Sequence, residues 1–262
     1  MVTVFYAFLW FLVLGGFSGF ILVLVAQKTQ VSEDARKQKI LSSLPGANCG
    51  GCGFAGCSAF ADAVVEKGVH PSLCRSLETG EQEKICRLMN LEPQSVKKEV
   101  AHVMCFGGIR AKEKYQYEGI SDCRIAARLA GGKKMCHNGC MGLGNCERAC
   151  EFDALHVIDG VAVVDPEKCR SCTACVRACP KGIIQMIPAD AHYTVSCCSQ
   201  DKGKDVLRFC ETGCIGCKKC EKVCQSGAIS VEGCCAVIDQ KLCTSCGACV
   251  AACPRGIIHK RF

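Results

Sequence analysis

The chain has 262 residues and 28 cysteines, and that cysteine count leaves disulfides, zinc or iron–sulfur clusters as its explanation. Disulfide-dense scaffolds are small and secreted, and no cleavable secretory signal is present, so metal-bound thiolates in a reducing compartment are expected. The formal charge of +7 points at first to nucleic acid or anionic lipid, but no aromatic-interleaved basic patch accompanies it, and no nucleic-acid partner is expected.

Residues 1–27 read as a transmembrane anchor. From Val2 to Gln27 no residue is charged, and Phe5, Leu9, Trp10, Phe11, Leu12, Leu14, Phe17, Ile21, Leu22 and Leu24 make the stretch strongly apolar. About twenty such residues span a bilayer as a helix. A signal peptide would begin with a basic region, which is missing here. The first basic residues, Lys28, Arg36, Lys37 and Lys39, lie on the C-terminal side. A single pass through the cell (inner) membrane is therefore expected, with everything after residue 28 in the cytoplasm. Gly15, Gly16, Ser18 and Gly19 either form a smooth face for another helix or are incidental to a plain anchor. A span without an ionisable residue cannot itself form an ion path.

Residues 28–47 read as a linker with a short polar helix that ends at Pro45-Gly46. Residues 48–90 read as a small four-cysteine domain with the spacing Cys49-x2-Cys52-x4-Cys57-x16-Cys74. Its glycines let the backbone approach a cluster closely, and an apolar-faced helix over 59–69 would carry the chain from Cys57 towards Cys74. Zinc is the alternative occupant. Gly51, Gly53 and Gly56 match a dinucleotide fingerprint, but they follow no strand and are threaded with cysteines, so that match is rejected. Residues 91–130 read as a connecting module. Cys86, Cys105 and Cys123 belong to no ligand run and are expected to be buried thiols packing as small hydrophobes.

The second half is an internal repeat. Cys136, Cys140, Cys146, Cys150, Cys169, Cys172, Cys175 and Cys179 each recur 74 places later, as Cys210, Cys214, Cys220, Cys224, Cys243, Cys246, Cys249 and Cys253. Two runs, Cys169 to Pro180 and Cys243 to Pro254, read C-x2-C-x2-C-x3-C-P, the signature of a bacterial [4Fe–4S] ferredoxin, whose fourth cysteine serves the other cluster. The runs ending at Cys150 and Cys224 lack the proline, with Glu151 and Gln225 in its place. Within each repeat two short strands flank Asp159-Gly160 or Glu232-Gly233, which are hairpin signals. Crosswise ligation predicts four sets. Repeat one, residues 131–190, gives Cys136, Cys140, Cys146 and Cys179, then Cys150, Cys169, Cys172 and Cys175. Repeat two, residues 205–262, gives Cys214, Cys217, Cys220 and Cys253, then Cys224, Cys243, Cys246 and Cys249. Cys217 has no counterpart, since Leu143 stands there, and it is favoured over Cys210 because it completes the tight loop. Cys197, Cys198, Cys234 and Cys235 are expected to shield or brace rather than ligate.

The expected fold is α+β: one N-terminal transmembrane helix, a small four-cysteine Fe–S domain, then two tandem ferredoxin-like 2[4Fe–4S] domains. Five [4Fe–4S] clusters are expected. Each core with four thiolates carries about −2, so five of them would bring the formal +7 to about −3.

The N-terminal span, the Cys49-Gly-Gly-Cys52-Gly-Phe-Ala-Gly-Cys57 motif with Cys74, Gly119-Ile-Ser-Asp122-Cys123, Cys140-Met-Gly-Leu-Gly-Asn-Cys146 and the ferredoxin runs together resemble one family. It is the family of B subunits of the Rnf-type ion-translocating ferredoxin–NAD oxidoreductases, in its extended form with a second ferredoxin pair. The resemblance covers essentially the whole chain. It implies a membrane complex in which this subunit takes electrons from soluble ferredoxin and passes them to other integral-membrane and peripheral subunits. Those other subunits hold the flavins, the nicotinamide and the ion path. The residues agree with that division: no credible flavin or nicotinamide site and no acid–base constellation is seen. The competing readings are a relay subunit of another membrane oxidoreductase and an iron–sulfur sensor or structural protein.

Overall fold

The computed structural model describes residues 2–28, 34–94 and 97–261. Helix α1 (Val2–Lys28) leads the chain, and its described side chains, at 5–6 and 9–25, are all exposed, Phe11 and Leu22 at 76% and 69%. Among the described residues no helix is long and apolar enough to cross a membrane.

Three helices form the N-terminal unit: α2 (Ala35–Ser43), α3 (Cys57–Lys67) and α4 (Thr79–Leu88). Asp34 caps α2 by accepting the Arg36 amide, and Gly68, at φ +63°, ends α3 in the left-handed conformation that favours glycine. Ile40, Phe60, Val64 and Ile85 meet in one core, each no more than 2% exposed, and Lys37 pairs with Asp62 at 2.7 Å. The stretch expected to be a linker thus supplies a core helix. Ile40 and Leu41 are the only large apolar residues of this helix and just Ile40 is buried, too sparse a stripe to announce a buried face.

The rest of the described chain builds two units of one plan from β1 (Glu99–Val103), α5 (Cys123–Arg128), α6 (Asn145–Arg148), β2 (Leu155–Ile158), β3 (Val161–Val164), α7 (Ala174–Ala178), β4 (Ile184–Pro188), β5 (Tyr193–Val195), α8 (Gly203–Phe209), α9 (Lys219–Val223), β6 (Ile229–Glu232), β7 (Cys235–Ile238), α10 (Ala248–Ala252) and β8 (Ile258–Lys260). Each unit has a central hairpin, β2–β3 or β6–β7, and an outer antiparallel pair, β1–β4 or β5–β8. The outer pairs enlarge the repeat. Strand β1 lies in the expected connecting module, and β5 lies between the two expected ferredoxin segments. Each closes its unit by pairing with the strand that follows the last cysteine run.

Asp159 and Gly160 both take positive φ, 48° and 72°, as the two-residue turn of a right-twisted hairpin requires. In the second hairpin Glu232 pairs with Cys235, so Gly233 and Cys234 form the turn, one place later than the sequence suggested. The cores repeat too: Val100, Leu155, Val161, Ile183 and Ile184 in the first unit, and Val195, Ile229, Ala236, Ile257 and Ile258 in the second.

The two units meet along residues 110–114. Ala111 forms an isolated bridge to Cys210 and Glu113 one to Lys134, so this segment runs between a stretch of each repeat. Lys134 is 5% exposed, and its ammonium donates to the Gly108 and Ala111 carbonyls at 2.9 and 3.1 Å beside Glu113 at 3.0 Å. Removing it takes the ammonium from both carbonyls and leaves Gly108 with the Ala111 amide alone, at 3.3 Å. Lys134→Ala is expected to cost about 2–4 kcal/mol in denaturant unfolding of the reconstituted chain, whereas Arg124→Ala, on the exposed face of α5, is expected to stay within about 0.5 kcal/mol.

Candidate metal centres

Four loops share one backbone. In Cys169–Cys175, Ser171 and Thr173 take φ 58° and 61°; in Cys243–Cys249, Ser245 and Gly247 take 57° and 78°; in Cys214–Cys220, Gly216 and Lys218 take 63° and 58°. Cys140–Cys146 has the same length and the same two left-handed positions, Gly142 at 68° and Gly144 at 78°, around Leu143. Non-glycine residues held there cost of order 1–3 kcal/mol each and persist where the surroundings demand them. Here the demand is that the cysteines of one loop face a common centre.

The thiols gather as sets. Cys49, Cys52, Cys57 and Cys74 line one cavity, and Cys214, Cys217, Cys220 and Cys253 line another; Cys210 is absent from that wall. A third cavity is lined by Cys140, Cys146 and Cys179. Cys150, Cys169 and Cys172 surround Cys175 closely enough to act on its charge, as Cys243 and Cys246 do on Cys249. Cys224 sits beside Ser226, with sulfur to oxygen at 3.5 Å, and that hydroxyl holds its thiol below the usual range.

The third cavity differs from expectation. Cys136 does not line it, and Cys123 does. Leu143 leaves that loop one thiol short, and Cys123 enters from the start of α5. Asp122 caps this helix by accepting the Arg124 and Ile125 amides at 2.6 and 3.2 Å, while Asn145 Oδ1 accepts the Cys123 amide at 2.7 Å. Arg148 donates to the Leu143 and Ser121 carbonyls at 3.0 and 2.8 Å, stitching the two segments together. The sequence carried a signal for this: an orphan cysteine after a capping aspartate, ahead of a loop that lacks its middle ligand.

The electrostatics ask for a cation. Burial, then the neighbouring thiolates of Cys140, Cys179 and Cys123, pushes Cys146 up to about 12. Burial with Cys172, Cys169 and Cys150 does the same to Cys175, also to about 12. Burial and their set-mates lift Cys74 and Cys220 to about 11. Four such thiols ionise together only around a strongly positive centre. Among the described residues no three cysteine, histidine or acidic side chains could hold a single metal ion. A tetrahedral zinc, with sulfur at about 2.3 Å, would need sulfurs within about 4 Å of one another. A cubane, with an iron at each thiolate, spaces its four sulfur ligands more widely than a lone ion does. Backbone amides also reach sulfur: Ala154 N to Cys150 at 3.4 Å and Ala101 N to Cys169 at 3.5 Å, the bonds that tune cluster potential.

Two units of paired cysteine runs on hairpin cores, with a third four-cysteine unit docked beside them, define a multi-cluster ferredoxin-type protein. Residues 44–76 match a putative Fe–S cluster family, residues 168–228 a 4Fe–4S dicluster domain and residues 236–259 a 4Fe–4S binding domain. The chain is 44% identical to the B subunit of the ion-translocating oxidoreductase complex of Methanosarcina acetivorans, over 95% of either chain. It is 41% identical to the B subunit of the Na(+)-translocating ferredoxin:NAD(+) oxidoreductase complex of Acetobacterium woodii, over 94% of this chain and 74% of that one. It is 37% identical to the B subunit of the proton-translocating ferredoxin:NAD(+) oxidoreductase complex of Clostridium ljungdahlii, over 94% of this chain and 88% of that one. The chain belongs to the family of B subunits of Rnf-type ion-translocating ferredoxin–NAD oxidoreductases.

Proposed function

We propose that this chain is the membrane-tethered electron-relay subunit of an ion-translocating ferredoxin–NAD oxidoreductase, receiving electrons from reduced ferredoxin and handing them to partner subunits. The observation that carries this reading is the contiguity of the thiol sets. Gly51 lies so close to Cys172 that an added Cβ would stand 2.8 Å from the Cys172 carbonyl, which brings the first set beside the Cys150, Cys169, Cys172 and Cys175 set. The run from Cys169 to Cys179 then joins that set to the one around Cys146, because Cys179 lines the next cavity.

A bound [4Fe–4S] cluster supplies a one-electron carrier. The residues of this chain supply its spacing, its shielding from water and the amide hydrogen bonds that set its potential. Five clusters are proposed, held by Cys49, Cys52, Cys57 and Cys74; by Cys150, Cys169, Cys172 and Cys175; by Cys123, Cys140, Cys146 and Cys179; by Cys214, Cys217, Cys220 and Cys253; and by Cys224, Cys243, Cys246 and Cys249. Helix α1 is proposed as a single-pass anchor with the ferredoxin units on the cytoplasmic side. Its 27 residues lack a charge before Lys28, and its described apolar side chains over 9–25 all lie exposed. It holds no group that could carry Na+ or H+, so the ion path is assigned to partner subunits.

The test is anaerobic reconstitution with iron and zinc counting, then low-temperature EPR while reduced ferredoxin is titrated in. About 20 Fe is expected for the five sets, with signals that grow as ferredoxin is added. Zinc at about one ion per set with no paramagnetic signal would end the iron–sulfur reading. Clusters that dithionite reduces and ferredoxin does not would end the electron-entry role. Deleting residues 1–28 is expected to move the chain from the membrane to the soluble fraction with its iron intact; a deleted chain still sedimenting with membranes through a carbonate wash would remove the anchor.

A further inference from the structure

Four of the cysteines outside those sets come together where the two units meet: Cys105 and Cys136 from the first, Cys197 and Cys210 from the second. We propose that these four hold a sixth [4Fe–4S] cluster on the seam between the ferredoxin units. This rests on the iron–sulfur reading above and adds a site to it.

The four are related in pairs by the repeat. Cys105 lies two residues beyond the end of β1, and Cys197 lies two beyond the end of β5. The Cys105 sulfur accepts the Cys140 amide at 3.4 Å, and the Cys197 sulfur accepts the Cys214 amide at 3.3 Å. Cys140 and Cys214 are themselves repeat-related, each the first cysteine of its loop. Cys136 and Cys210 stand four residues ahead of those same two positions. In each unit another thiol fills the adjoining set, Cys123 in the first and Cys217 in the second, and this frees Cys136 and Cys210.

The backbone brings the freed pair to one place. The Lys112 amide donates to the Phe209 carbonyl at 2.7 Å, and the Lys112 carbonyl accepts the Met135 amide at 2.9 Å. Ala111 bridges to Cys210 on one side. On the other, extending the Glu113–Lys134 pairing by two places sets Cys136 across from Ala111 as well. Residues directly opposite in antiparallel pairs share a face, so Cys136 and Cys210 flank Ala111 about 10 Å apart at Cα. Gly107 leaves room beside them: an added Cβ would sit 2.9 Å from Ala111 Cβ, 3.5 Å from Cys210 Sγ and 3.7 Å from Cys105 Sγ. Cys105 and Cys197 are the two thiols whose charge acts on Cys136. A fifth thiol, Cys198, is near Cys105, Cys136 and Cys179.

The surroundings favour the net negative charge of a thiolate-bound cluster. The buried Lys134 ammonium lies two residues from Cys136 and answers Glu113, the Arg255 guanidinium donates to the Cys210 carbonyl at 2.6 Å, and the Lys181 ammonium donates to the His137 carbonyl at 2.6 Å. The location has a consequence for the relay. Through Cys140 the site touches the last set of the first unit, and through Cys214 the first set of the second. It would fill the gap between them.

The experiment counts iron, sulfide and zinc in the anaerobically reconstituted full chain and in serine variants. About 24 Fe is expected for the wild type, and Cys105→Ser, Cys136→Ser, Cys197→Ser and Cys210→Ser should each lose about 4. The decisive result is non-additivity. Cys105→Ser with Cys197→Ser, from different repeats, should lose about 4 Fe and not about 8, because both serve one cluster. Cys86→Ser and Cys198→Ser should keep full iron, and the about 20 Fe retained by each seam variant is its folding control. A wild type at about 20 Fe with seam variants unchanged overturns the proposal, as do an additive double loss, a loss in Cys198→Ser in place of Cys197→Ser, or zinc at the seam. Failure of the five-set reading shows elsewhere, as a Cys172→Ser variant that loses no iron.

Discussion

Cys123→Ala is expected to remove about 4 Fe from the reconstituted chain, and adding Leu143→Cys to the same variant is expected to restore them. The rescue follows from the backbone. Leu143 sits between Gly142 and Gly144 at φ 68° and 78°, and Cys217 sits between Gly216 and Lys218 at 63° and 58°. A cysteine at 143 therefore emerges in the orientation that Cys217 already has, and completes its set without α5. The leucine side chain it replaces is half-buried against Cys123 and Met141, so the swap removes volume and adds no strain. Leu143→Cys should not rescue Cys136→Ala, because Cys136 lies outside that cavity. Full iron in Cys123→Ala, or rescue of Cys136→Ala by Leu143→Cys, would return Cys136 to the set. The readout includes the EPR signal, since a cluster that exchanges a ligand from a helix for one from its own loop changes its hydrogen bonding and hence its potential.

The repeat, the first hairpin and the loop from Cys214 to Cys220 were legible because tight loops encode their geometry locally: cysteine spacing and left-handed positions lie within seven residues. What could not be read was non-local. Strand β1 pairs with β4 across more than eighty residues, and Glu99-Val-Ala-His-Val103 has no turn nearby to advertise a partner. Cys123 meets its loop through the Asn145 side chain and the Arg148 fork, contacts between segments that spacing does not reveal. Cys105 and Cys197 looked like filler for the same reason. Neither belongs to a spaced ligand run, Cys105 standing alone and Cys197 having only Cys198 beside it, and each meets thiols of the other unit only in the fold.

The second large expected effect concerns the docking of the N-terminal unit, and competing magnitudes decide it. Arg170 and Glu78 form an ion pair at 2.8 Å across this contact, but their side chains are 39% and 66% exposed. Such a pair contributes about 0–1 kcal/mol and is screened by salt. Arg177 donates to the Cys49 carbonyl at 2.8 Å, a charged donor on a backbone acceptor. Gly51 sits under the Cys172 carbonyl with no room for a methyl group at 2.8 Å, and backbone on that side cannot rotate away. Overpacking of this kind costs about 1–3 kcal/mol. Gly51→Ala should therefore lift the unit off the Cys169 run, while Arg170→Ala should leave it in place. The four thiols of the N-terminal set all belong to their own unit, so Gly51→Ala should keep its iron. Hydrogen exchange is the direct readout, with protection falling at both 49–53 and 170–173 in Gly51→Ala and unchanged in Arg170→Ala. Equal exchange in the two variants would mean that the ion pair and not the close backbone approach holds the contact. Electron transfer between the first two sets should then slow in the glycine variant alone, since spacing between carriers is what this chain provides.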